Sequence, residues 1–178
     1  MSDQTTTPPL PPTRRIVTSH NPQSQAIIQH DSQIPAQPAG HGIFLTSLWS
    51  TPSLPPRTTP DFDSDSNTDM GLAETGLANN GTICRIVDFP PRSTASTAMM
   101  HRTMTLDYIY CVKGSVVLVL DDGSRTVLRE GDVAVQQATM HAWANEGDEW
   151  ARLVCVLIAA EPPVVQGKEL QTEVPFQL

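Results

Sequence analysis

From Thr82 onward, turn residues interrupt the chain every eight to twelve residues, and short β-branched runs fill the gaps. Ile83 to Phe89 is stopped by Pro90-Pro91. Val116 to Leu120 runs into Asp121-Asp122-Gly123, a hairpin turn in which Gly supplies the positive φ. Thr126 to Leu128 returns, Glu130-Gly131-Asp132 turns again, and Val133 to Val135 follows. Met140 to Asn145 is closed by Glu146-Gly147-Asp148, and Arg152 to Ile158 is the last run. Nothing in this half reads as a helix. Many short strands at this spacing predict an all-β sandwich or barrel, which removes exposed strand edges by doubling or closing the sheet.

The first half is different in kind. Residues 1–13, with Thr6-Thr7-Pro8-Pro9-Leu10-Pro11-Pro12, hold little that can be buried and read as a disordered tail. Arg14 to Thr18 and Ala26 to Ile28 are short β-type runs around a turn at Asn21-Pro22, and predict an N-terminal hairpin or strand arm. Gly42 to Trp49 is apolar enough to pack on the barrel. A Pro-, Asp- and Ser-rich stretch from Thr51 to Asp69 reads as a long surface loop. The expected organisation is thus tail (1–13), then arm, apolar segment and loop (14–79), then barrel (80–178).

At 178 residues the chain suits one domain with a sizeable core. Its net charge of −8 argues against nucleic acid, whose phosphates call for surplus Lys and Arg. The longest apolar run, Leu153 to Ala160, is strand-length and far short of a membrane helix. The polar, Pro-rich N-terminus has no apolar h-region of a secretory signal. Cys84, Cys111 and Cys155 each sit in an apolar, β-branched stretch. An odd count of such cysteines predicts buried free thiols in a reducing compartment, and hence the cytoplasm.

Two separated blocks combine a His with a structured turn. The first is His101-Arg102-Thr103-Met104-Thr105-Leu106-Asp107, followed by Gly114. The second is Gly131-Asp132, then Thr139-Met140-His141-Ala142-Trp143-Ala144-Asn145. Alternation gives His101, Thr103 and Asp107 one parity and places His141, Trp143 and Asn145 on one strand face. Six residues of straight strand span roughly 20 Å, too far for His101 and Asp107 to share a metal. The chain must therefore turn around Met104 to Leu106. Two imidazoles and one carboxylate so arranged match the two-His-one-carboxylate site with open positions, favoured by Fe(II) and usable by Zn, Mn or Ni.

These blocks resemble the two motifs of the cupin superfamily, Gly-x5-His-x-His-x3,4-Glu-x6-Gly and Gly-x5-Pro-x-Gly-x2-His-x3-Asn. Residues 101–114 keep the first spacing, and residues 131–145 keep the second with one residue fewer before His141. The likeness covers about Thr82 to Pro162 and implies a jelly-roll β-barrel, here with an N-terminal strand arm. The departures are Thr103 for the second His, Asp107 for Glu, Ala95 for the leading Gly, and loss of the Pro and Gly near Gln137 to Thr139. They replace the family's four-ligand site by three protein ligands, His101, Asp107 and His141, with water completing the sphere. Thr103 is either a silent replacement or a hydroxyl that binds the metal's water. Trp143 is read as core or pocket wall, with substrate stacking as the alternative. Gly114, Gly131, Asp132 and Asn145 are read as structural, and His20, His30 and His41 receive no role.

Arg14 to Thr18, Leu48-Trp49, Met100 to Tyr108 and Thr139 to Trp143 also resemble one group of small, largely fungal cupins. Some of these occur in polyketide gene clusters for salicylaldehyde-type aromatics and are described as cupin-domain oxidoreductases. The resemblance implies a metal-dependent enzyme tailoring a small aromatic or polyketide-derived molecule. The alternatives are a non-redox decarboxylase, dehydratase or isomerase, or a non-catalytic ligand-binding module. The expected partners are a small-molecule substrate and a second copy of the chain, joined through the N-terminal strands as a homodimer, with neither nucleic acid nor membrane.

Overall fold

The computed structural model of the chain describes residues 10–60, 80–94 and 99–174. Three features of the sequence reading lie outside them: the first nine residues, the Asp/Ser run of the long loop, and Ala95. The strands are β1 (Thr13–His20), β2 (Ala26–Ile34), β3 (Gln37–Pro38), β4 (Phe44–Thr51), β5 (Thr82–Phe89), β6 (Thr105–Lys113) and β7 (Ser115–Leu120). They continue with β8 (Arg125–Arg129), β9 (Val133–Gln137), β10 (His141–Ala144), β11 (Ala151–Ala159), β12 (Val164–Val165) and β13 (Lys168–Glu169). No α-helix occurs among the described residues.

Six strands form the main antiparallel sheet in the order β3-β4-β5-β11-β6-β9, and β10-β7-β8 form a second. Alternation decides what goes between them. On β11, Ala151, Leu153, Cys155 and Leu157 are buried while Arg152, Val154 and Val156 are partly exposed. Ile83 and Phe89 of β5, Ile109 and Cys111 of β6, Val116 of β7 and Leu128 of β8 join them in one core. This is the two-layer all-β architecture that the strand spacing predicts.

The turns form where the sequence places them. In the β7–β8 hairpin Gly123 adopts φ +85°, the Leu120 carbonyl accepts from its N–H, and Asp122 Oδ1 accepts from Ser124 N–H at 2.8 Å. At Gly114, between β6 and β7, φ is +70°. A Cβ there would stand 3.0 Å from the Trp150 carbonyl, so a side chain would be both strained in its backbone and crowded against β11.

The segment expected to pack on the barrel is instead part of its sheet. β4 pairs with β5 from Phe44↔Asp88 to Thr51↔Thr82. β1 and β2 form a separate hairpin whose turn is closed by Asn21 Oδ1, which accepts from the N–H groups of Gln23 and Gln25. The arm is longer than its two apolar runs suggest, because β2 continues through polar residues to Ile34. Arg15 fastens it by donating to the Leu48 carbonyl at 3.0 Å, with its guanidinium over the Trp49 ring. Arg152 makes a bidentate pair with the fully buried Asp88 at 2.6 and 2.7 Å and also donates to the Pro11 carbonyl. Residues just ahead of β1 are therefore tied to the barrel.

Candidate functional site

The two sheets enclose a cavity of about 340 Å³, and its polar lining comes mainly from the two His blocks. His101, His141, Asp107, Thr103 and Trp143 all border it. His101 precedes a bend at Met104, after which β6 begins at Thr105. The bend falls where sharing a site with Asp107 requires one.

His101 and His141 form an isolated antiparallel bridge, each N–H donating to the other's carbonyl at 2.9 and 3.0 Å. Such a reciprocal pair puts both side chains on one face. The ring centroids are 4.2 Å apart and the planes are inclined by 54°. The same local device orients both rings. His101 Nδ1 lies 2.9 Å from the Met99 carbonyl and His141 Nδ1 lies 3.0 Å from the Thr139 carbonyl. A carbonyl only accepts, so Nδ1 carries the proton in each ring and Nε2 keeps its lone pair, as in metal-binding histidines.

The surroundings hold both rings neutral. Burial, reinforced by His101 nearby, lowers the His141 pKa from 6.5 to about 4, against the upward pull of the Thr139 carbonyl. Burial also lowers His101, with Arg85 adding to the effect and the Met99 carbonyl opposing it. Asp107 is pushed above the usual carboxylate range by burial, against the stabilising influence of Thr105, Arg85 and Gln136. Its Oδ2 accepts from Gln136 Nε2 at 2.8 Å, while its buried Oδ1 has no hydrogen-bond partner. Thr103 Oγ1 is 2.8 Å from Thr105 Oγ1, so that hydroxyl is already engaged within the wall. Trp143 stands edge-on to His141, with ring centroids 6.0 Å apart.

Two neutral imidazoles with Nε2 lone pairs, and a carboxylate with a bare oxygen, fit a divalent first-row metal in kind. The imidazoles are brought together; the carboxylate shares their cavity at a distance. Among the described residues, no three His, Cys, Asp or Glu side chains are close enough to hold an ion.

Two cavity residues, and one hydrogen-bond partner of Asp107, escaped the sequence reading. Arg85 lines the wall from β5, where its parity with Val87 and Phe89 was the available signal. His41 borders the mouth from a Gly40-His41-Gly42 turn in which all three residues have positive φ. Gln136 was visible only through its register opposite Asp107. Cys155 also lines the cavity, but burial raises its thiol pKa to about 12, so it is no nucleophile. Asn145, read as structural, donates to the carbonyls of Phe89 and Glu149 and accepts from Gly147 N–H.

Comparison with known proteins agrees with the motifs. Residues 85–157 match the family model described as a cupin domain. The chain is 32% identical over 167 residues to phomopsin biosynthesis cluster protein C' of Diaporthe leptostromiformis, covering 92% of this chain and 87% of that protein. It is 30% identical to the cupin-domain-containing oxidoreductase virC of Hypocrea virens, over 89% of this chain and 81% of that one. Among solved structures it is similar to the cupin domain of Schizosaccharomyces pombe Cnp3, with a TM-score of 0.48 and 10% identity over 82% of this chain and 87% of that one. That last likeness is too distant to argue from. The two His blocks, the all-β fold and these relatives, matched over most of both chains, together make this chain a member of the cupin family, related to cupin-domain proteins of fungal biosynthetic clusters.

Proposed function

We propose that the cavity is the active site of a metal-dependent enzyme that modifies a small, mostly apolar metabolite of the aromatic or polyketide-derived kind, by oxidoreductase chemistry. The observation that carries this reading is the imidazole pair, two rings fixed in the same tautomer by backbone carbonyls at the wall of an apolar cavity. His101 and His141 would hold the ion. Asp107 would be the third ligand, which requires its carboxylate to close on the pair when the ion is present. A divalent ion here supplies Lewis acidity and, where the metal is redox-active, electron transfer.

The chain's own residues supply the rest. The Met99 and Thr139 carbonyls keep the Nδ1 protons in place, and Gln136 orients the Asp107 carboxylate. Val87, Phe89, Ile109 and Leu157 exclude water, and Trp143 offers a flat face to a ring. The names of the related oxidoreductases support the redox direction. Three cysteines outside any disulfide suit a reducing cytoplasm.

The test is to incubate purified protein with extracts of a deletion strain and follow metabolites by mass spectrometry, with and without chelator. Consumption of an accumulated compound with a change in its oxidation level, abolished by chelator and restored by metal, supports the reading. Chelator-insensitive turnover, or binding without turnover, contradicts it.

A further inference from the structure

β6 lies between β11 and the edge strand β9, and its outer side chains stand in register with both neighbours. Tyr108 falls between Val156 and Val135, and Tyr110 between Val154 and Val133. Cross-strand partners share a face, so these six side chains form one block, and none is charged. Tyr108, Tyr110, Val133 and Val135 are 44%, 43%, 60% and 55% exposed. The edge strand reads Val-Ala-Val-Gln-Gln, without the Lys or Pro that ordinarily keeps such an edge from other chains.

The same outer side is covered at the other end of the sheet. The row that contains Tyr110 continues through Val154 to Ile86 and Thr46, and these last two are buried. Chain flanking the N-terminal hairpin is tied down there, at Arg152 through the Pro11 carbonyl and at the Leu48 carbonyl through Arg15. The hairpin itself leaves Ile16, Ile27 and Ile28 exposed, although a two-stranded hairpin is marginal in water without something to pack on. Two apolar surfaces thus lack cover among the described residues.

Magnitudes join them. The tyrosine face exposes on the order of 400 Å², already large for a monomer's surface patch. A standard interface takes about 800 Å² from each partner, so the face alone supplies about half. The three hairpin isoleucines bring the total near that figure. The net charge of −8 disfavours an anionic membrane surface as the occupant.

We propose that the outer face of β11, β6 and β9 seats a second copy of this chain, whose N-terminal hairpin lies across Tyr108 and Tyr110. A two-fold axis repeats the contact, so one interface covers both surfaces in each copy. The inference concerns assembly and is independent of what the cavity binds.

Tyr108 and Tyr110 are the chain's two tyrosines, so nitration by tetranitromethane, read at tyrosine by mass spectrometry, reports this face alone. Full-length protein should be a dimer by light scattering. Its tyrosines should nitrate several-fold more slowly than those of Ile28→Lys, a monomer altered only in the hairpin. Val135→Lys, on the face itself, should also be a monomer, whereas Val164→Lys, at an exposed valine of β12, should remain a dimer. Circular dichroism checks that each variant keeps its β-structure. If a variant does not, nitration of the unsubstituted protein above and below its dissociation range decides. A monomeric parent, a dimer that persists in folded Ile28→Lys or Val135→Lys, or tyrosines that nitrate equally fast in dimer and monomer would overturn the inference. Binding of a monomeric parent to phosphatidylcholine vesicles would overturn it in favour of a lipid surface.

Discussion

The Nδ1 atoms of His101 and His141 are each bonded to the carbonyl two residues behind them, Met99 and Thr139, while their backbones bond to one another. This doubles one local device across a bridge between distant parts of the chain, and it sets the protonation of the site. The His141 pKa falls from 6.5 to about 4 on folding. Between those values the unfolded chain binds a proton that the folded chain does not. In metal-free protein, stability should therefore be full above pH 6.5 and lost as pH drops towards 4, by roughly 3 kcal/mol if this group acts alone. Urea unfolding from pH 4 to 7 in chelator measures it. His141→Gln should flatten the profile, and an unchanged profile would contradict the assignment.

Asp107→Asn should weaken metal binding more than Thr103→Ala. The first removes a full charge facing a divalent ion, whereas the Thr103 hydroxyl is occupied with Thr105. Competition with a fluorescent chelator ranks the two variants. The reverse order would make the hydroxyl the participant.

Asp88→Ala should destabilise the fold by about 3–5 kcal/mol, because it strands the largely buried Arg152 without its bidentate partner. Replacing both residues with apolar ones should cost less than replacing Asp88 alone. Equilibrium denaturation of the single and double variants decides it.

The N-terminal hairpin is proposed as a dimer contact. β1 and β2 pair only with each other among the described residues, and Ile16, Ile27 and Ile28 are 51%, 40% and 63% exposed. Deleting residues 1–9 should leave a dimer, and deleting 1–34 should give monomer or aggregate. Light scattering distinguishes these, and a stable, soluble dimer from the longer deletion would refute the arm.

The strands of the second half were legible because alternation and turn chemistry act locally: Gly123 and Gly131 lie at positive φ between strands of the expected residues. β3, β12 and β13 were not legible, since two-residue pairs leave no periodic trace. The same holds for the site. His101 and His141 stood out through motif spacing, but Arg85 offered only its parity with Val87 and Phe89 on β5, which marks an inner face without telling a cavity wall from a filled core. The separation of Asp107 from the imidazoles likewise depends on how two sheets stack, not on the six residues between it and Gly114.

The central claim is that His101 and His141 bind one metal ion together. Elemental analysis of protein purified without a chelating tag, beside His101→Ala and His141→Ala, tests it most directly. The bridge between them is made by backbone, so both variants should keep the β-rich circular dichroism of the parent. The account predicts about one divalent ion per chain in the parent and little or none in either variant. A metal-free parent that is fully active, or normal occupancy in either variant, would contradict it.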